Sequence, residues 1–165
     1  MTDNERNILV EKKQQIEEIM GAIRQSEGDV LNELLPSAVR KYGFKTFYID
    51  EVLIVLMCQL DEKTSMSINL RHGYDEAGKY YISISKPMYY SDFDISKESE
   101  ATIYWLSVAR LIKDKKFKAA ALSRLETFHN RVLELKKDYQ EIEQQLEPEM
   151  VTYTYNTREI ANKMQ

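Results

Sequence analysis

The chain has little with which to cross-link, break or bend itself. A single cysteine, Cys58, excludes an internal disulfide and a multi-cysteine metal cluster. It lies in an apolar run without the cationic neighbours that activate a thiol, and is expected to be inert. Only three prolines and five glycines occur, so long stretches can stay helical. The glycines at 21, 28, 43, 73 and 78 form neither a dinucleotide fingerprint nor a phosphate loop. The two histidines, His72 and His129, stand far apart and outside any HExxH spacing. Structural or solvated roles are expected for both. The longest apolar run, Val52 to Cys58, is far too short to span a membrane. Positive charge is also in deficit, with a net charge of −4 and a pI near 5.4, which argues against general affinity for nucleic acid or anionic lipid. The polar opening Thr2-Asp3-Asn4-Glu5 stands where an export leader would need apolar residues, so none is expected.

What is present is a long helical seam. Ala121, Leu125, Phe128, Val132, Leu135, Tyr139, Ile142 and Leu146 follow one another in alternating steps of four and three. That is the rhythm of a coiled coil. No glycine or proline interrupts the stretch from Phe117 to Leu146, and Glu147-Pro148 ends it. A helix of that length rises roughly 45 Å, so another helix of this chain or of a second chain must cover the ridge. The N-terminal helix is its natural partner. Thr2-Asp3-Asn4-Glu5 reads as a capping box, and Leu9, Ile16, Ile19, Met20 and Ile23 form a stripe behind it. Lys12 occupies a position where that stripe wants an apolar residue, and Gly21 suggests close packing. Ser26-Glu27-Gly28 is expected to break the helix, with a short one behind it and a further turn begun by Pro36 and closed by Gly43.

The middle of the chain is β in character. Phe44 to Tyr48 has strand composition, and residues 52–57 are apolar on every side, as in a strand buried on both faces. A short buried helix capped by Asp50 is the alternative. Met66, Ile68 and Leu70 alternate with Ser67, Asn69 and Arg71, as Tyr80, Ile82 and Ile84 do with Tyr81, Ser83 and Ser85. Joined through residues 73–78, these make an antiparallel hairpin with its greasy face against helices. Lys86-Pro87 ends it, and an aromatic loop of Met88, Tyr89, Tyr90 and Phe93 follows. Ser96, Glu98 and Glu100 read as a helix start, and the residues from Ala101 to Ile112 as a central helix apolar almost all round. Its stripe runs out of phase with the seam, so a kink or tight turn is expected at Lys113–Lys116. Val151 to Tyr155 reads as a strand that must add to a sheet edge at home or in a neighbour, and residues 157–164 as a short helix.

The fold class expected is therefore α+β, a small antiparallel sheet of about three strands backed by helices, with a long C-terminal helix pairing with the N-terminal one. Residues 1–148 form the domain and 149–165 an interaction tail. No nucleophile, acid–base or metal set is spaced for catalysis, so no enzyme, cofactor or metal is expected. Asp92, Asp94 and Ser96 alternate as a calcium loop opens, but Lys97 and Ile103 stand where its glycine and closing glutamate belong. The expected function is protein–protein interaction or assembly (a virion component, adaptor or inhibitor), in cytoplasm or virion, oligomeric through Leu125, Phe128, Val132, Leu135, Tyr139 and Ile142. Partner contacts are expected from Met88, Tyr89, Tyr90, Phe93, Val151, Tyr153 and Tyr155, since methionine and aromatic residues are enriched at interfaces. The alternative is a nucleic-acid-associated protein using the corner formed by Arg110, Lys113, Lys115, Lys116 and Lys118, with Phe117 to stack on a base.

Overall fold

The computed structural model describes residues 1–91 and 95–147. The architecture is α+β: helices α1 (Asp3–Leu34), α2 (Ser37–Arg40), α3 (Glu98–Leu111) and α4 (Lys115–Leu146), with strands β1 (Lys45–Ile49), β2 (Leu53–Gln59), β3 (Ser65–Tyr74), β4 (Tyr80–Ile84) and β5 (Met88–Tyr90). The strands form one antiparallel sheet in the order β1-β2-β3-β4, with β5 on β3. β4 pairs with the second half of β3 from Leu70 and β5 with its first half, Ser65–Ser67. The chain divides into two compact units, Ala22–Val132, and Met1–Gly21 together with the residues from Leu133 on. The expected tail, including Val151, Tyr153 and Tyr155, and Phe93 lie outside the described residues.

Within Ala22–Val132 one sheet face carries the core. Ile54, Leu56, Leu70 and Ile82 point to Leu31 and Leu35 of α1, Val108 and Leu111 of α3, and Ala121 and Leu125 of α4. The void among them is only about 10 Å³, which is the close packing that makes interiors sensitive to a single lost methylene. Asp-Glu dipeptides tie the three hairpin turns between β1 and β4. Asp50 Oδ1 accepts from the Val52 and Leu53 amides, Asp61 Oδ1 from Lys63 and Thr64, and Asp75 Oδ1 from Lys79. Each carboxylate supplies the acceptor that a tight turn otherwise leaves to water. Gly78, at φ +77°, closes the last of them.

Several expectations change. β2 is a strand, but Leu53, Val55 and Met57 are half-buried while Ile54, Leu56 and Cys58 are buried, so only one of its faces is in the core. Residues 88–90 are a short strand rather than a loop. α3 buries Ala101, Val108 and Leu111, yet Ile103 and Leu106 are exposed, so it flanks the core and is not central. Lys97 stands at its N-cap without a side-chain cap bond, and Ser96 belongs to the 3₁₀ turn before it. The phase slip at 113–116 is a true break: Asp114 caps α4, its Oδ1 accepting from Phe117 N at 2.9 Å and its carbonyl from Lys118 N.

α1 does not break at Ser26-Glu27-Gly28. Glu27 is buried among partners from α4, and Gly28 is buried beside Thr46, so tertiary contacts override the local signal. Gly21, by contrast, has no neighbour within 4 Å of where a Cβ would stand, and nothing in the structure explains it. In the unit formed by Met1–Gly21 and Leu133 onward, α1 and α4 run antiparallel. Tyr139 donates to Glu17 at 2.7 Å, and Lys13 meets both Glu143 at 3.5 Å and the face of Tyr139. Lys13, not Lys12, is the cation in the seam, since Lys12 is exposed and Lys13 half-buried. The capping box at the start of α1 is reciprocal, Thr2 N to Glu5 Oε2 at 2.8 Å and Glu5 N to Thr2 Oγ1 at 3.2 Å.

Candidate functional site

The second face of the sheet is the most distinctive surface. Strand alternation sends Leu53, Val55 and Met57 of β2 away from the helices. Cross-strand pairing continues that face in rows. Lys45, Met57, Ser67 and Met88 lie side by side, and Tyr48, Val55 and Asn69 follow. Leu53, Arg71 and Ser83 make the third row, and Tyr90 sits beyond Ser65. A bulge between Thr46 and Tyr48 leaves Phe47 69% exposed at the edge. Met88 is 50% and Tyr90 45% exposed, whereas Tyr89 is half-buried. Burial, together with the nearby Glu98 carboxylate, raises the Tyr89 phenol above its ordinary pKa. The residues expected as partner contacts thus split by strand alternation, with Met88 and Tyr90 on the half-exposed face and Tyr89 on the other. Ser67 is wholly buried at the middle of that face, flanked by Met57 and Met88, and its Oγ has no hydrogen-bond partner among the described residues.

The seam residues divide between the two units. Ala121, Leu125, Phe128 and Val132 are buried in Ala22–Val132, while Leu135, Tyr139, Ile142 and Leu146 are half-buried in the other unit. α1 supplies cover within the same chain, because α4 packs on it. The basic corner is a single turn of chain. Lys113, Lys115, Lys116 and Lys118 are exposed around the α3–α4 break, but Phe117 is half-buried and lines the core void.

Both histidines belong to one aromatic cluster that spacing alone could not assemble. His72 of β3 is buried, with its ring 6.0 Å from that of His129 on α4 and 5.9 Å from Tyr80. Its Nε2–H donates to the Asp50 carbonyl at 2.7 Å, which leaves Nδ1 to accept from the Tyr80 hydroxyl. That hydroxyl also meets the Leu125 carbonyl at 3.1 Å, so one proton faces two acceptors. His129 donates from Nδ1 to the Glu51 carbonyl at 2.6 Å. Burial lowers the pKa of both imidazoles, opposed at His72 by the Asp50 carbonyl and at His129 by Glu126. Burial likewise raises the Tyr80 phenol well above its usual range. Two neutral imidazoles and a neutral phenol, each fastened to a main-chain carbonyl, form a lock between the sheet and α4. The Cys58 thiol, pushed up to about 11 by burial, is not primed as a nucleophile. Among the described residues no group of three His, Cys, Asp or Glu side chains could hold a metal ion, and no helix is long and apolar enough to cross a membrane.

The residue that sequence reading missed is Glu27. It is 2% exposed, and its carboxylate meets Arg124 Nε at 2.7 Å and Arg131 Nη1 at 3.3 Å. Arg124 and Arg131 stand seven apart on α4, two turns along one face, and that spacing opposite an isolated glutamate was the available signal. Compared with known proteins, the chain matches no protein-family model, no curated protein and no solved structure.

Proposed function

We propose that the chain is a non-enzymatic assembly protein, a virion component or a cytoplasmic adaptor or inhibitor, that associates through the half-exposed face of its sheet. The observation that supports this is the concentration of Met57, Met88, Tyr90 and Tyr48 on one side of a sheet whose other side is already the core, with Phe47 exposed at its edge. Cross-strand neighbours lie roughly 5 Å apart, so these side chains form a continuous patch. Patches of this type on soluble proteins mark contact surfaces. The occupant is a second copy of the chain. The distal seam, Leu135, Tyr139 and Ile142, offers a further half-buried ridge to the same assembly.

The double substitution Met88→Lys with Tyr90→Lys tests this, since both residues are exposed and contribute little to the fold. Light scattering on the parent should give a mass above the 19.4 kDa of one chain, and the variant should fall to that value with its melting unchanged. A parent that stays at single-chain mass up to millimolar concentration sinks the proposal. The nucleic-acid reading rests on Lys113, Lys115, Lys116 and Lys118, which make no ion pair with other described residues. It requires duplex or single-strand binding that weakens steeply with salt.

A further inference from the structure

Beside the basic corner, and apart from the sheet face, the Ala22–Val132 unit has a groove of about 560 Å³. That is the size range of small-ligand sites, roughly 300–1,000 Å³. Its floor is apolar: Leu34 from the end of α1, Val39 from α2, Leu111 from α3 and Phe117 from α4. Val39 and Leu111 are buried there and Phe117 half-buried, so the floor is set by the core and does not depend on mobile side chains.

The rim differs in kind. Arg110 and Lys116 both line the groove, and neither makes an ion pair or side-chain hydrogen bond with another described residue. Two polar rim groups already have partners. Asp114 accepts from Phe117 N as the cap of α4, and the Ser107 hydroxyl donates to the Ile103 carbonyl at 2.9 Å. Lys113, Lys115 and Lys118 flank the same turn, so the local field is cationic on a chain that is acidic as a whole. An apolar floor beside unsatisfied cations has a complementary ligand: an anionic head on an apolar body. A polyanion would leave the floor empty, and an uncharged apolar molecule would leave the cations unused.

We propose that this groove binds a free medium-chain carboxylate, with its head between Arg110 and Lys116 and its alkyl chain over Phe117, Leu34 and Val39. Arginine and lysine make charge-assisted hydrogen bonds to carboxylate, the stronger kind. The chain's burial supplies the remainder. The site shares no residue with the sheet face, so its failure leaves the assembly proposal standing, and the reverse also holds.

The test is titration of the full chain with decanoate below its micelle concentration, followed by amide chemical shifts. Expected is saturable binding with shifts confined to Ala38, Val39, Ser107, Leu111 and Ala120. The double variant Arg110→Gln with Lys116→Gln should weaken it at least tenfold while melting unaltered, because both side chains are exposed. Ala120→Glu places a carboxylate at the groove mouth from an exposed helical position, and should abolish binding in a folded protein. Equal binding of decyltrimethylammonium, or of decanoate by the double Gln variant, overturns the proposal. So does a response to inorganic phosphate or to oligonucleotide as strong as that to decanoate, shifts located elsewhere, or no saturation at all.

Discussion

The charged centre formed by Glu27, Arg124 and Arg131 makes an asymmetric prediction. The glutamate is 2% exposed, but the two arginine side chains keep 40% and 47% of their surface in water. Desolvation therefore falls almost entirely on the carboxylate. Glu27→Gln removes the buried charge and leaves two arginines that can turn outward. Its cost is the loss of charge-assisted hydrogen bonds, about 1.5–3 kcal/mol. Replacing both arginines by Met instead strands an ionised carboxylate without a partner, which costs about 3–5 kcal/mol. Either arginine alone should cost much less than the pair, because the other still meets the second carboxylate oxygen. Adding Glu27→Met to the double arginine variant should recover most of the loss, since buried ion clusters replaced by apolar residues of similar volume are often neutral or stabilising. Urea unfolding monitored by circular dichroism reads these differences directly, provided the slope with denaturant stays constant across the series. If the two arginine substitutions together cost under about 1 kcal/mol, or if Glu27→Gln costs as much as they do, Glu27 is not the desolvated partner and the reasoning fails.

Other consequences are simpler to read. Gly21→Ala should raise stability by about 1 kcal/mol, the helix-propensity difference, because a Cβ there meets nothing within 4 Å; a loss would reveal a contact that the structure lacks. Tyr80→Phe leaves the His72 Nδ1 and Leu125 carbonyl acceptors without their donor and should cost about 1–3 kcal/mol, more than Tyr74→Phe, whose hydroxyl bonds Glu126 at the surface. Because His72 and His129 titrate lower in the fold than in the unfolded chain, the unfolded state takes up protons first as pH falls. Stability should thus be level above their unfolded value and decline from about pH 6.5 downward, by up to ~1.4 kcal/mol per pH unit for each imidazole. Chemical denaturation across pH 7.5 to 5 checks it, and a rise in stability on acidification would contradict the burial of these rings. Val132→Asp in the buried part of the seam should destabilise more than Leu135→Asp in the half-buried part, as paired melting curves would show.

How much of this was legible follows from the range over which each signal acts. The seam of α4 and the β3–β4 hairpin could be read because periodicity is written along the chain itself, and α4 begins within two residues of the expected start. Glu27 could not be read that way. Its meaning lies in a partner 97 residues further along, so a purely local pattern sees only a polar interruption beside a glycine. Local pattern puts Lys12 in the stripe for the same reason; the seam cation is Lys13, whose place is fixed by Tyr139 and Glu143. β5 is too short for alternation to show, and β2, apolar from Leu53 to Cys58, gives no hint of which side meets water. The half-exposed face of the sheet therefore emerges only from register. The groove gathers side chains from four helices, and only its cations and Phe117, neighbours in sequence, were visible beforehand.

The two units also differ in when each can form. Ala22–Val132 is one continuous stretch, whereas the other unit needs both Met1–Gly21 and the residues from Leu133 on. During synthesis the first half of α1 emerges well before the part of α4 that packs on it. At roughly 5–20 residues per second, the interval between Gly21 and Leu133 is on the order of ten seconds. For that time Leu9, Ile16 and Met20 form an apolar stripe with nothing of their own to cover it. Most helical stability in proteins comes from packing of an amphipathic face, so the N-terminal segment waits unfolded or is held by something else. The nascent chain is most open to capture, by a chaperone or by a sister copy, along that stripe and before α4 exists.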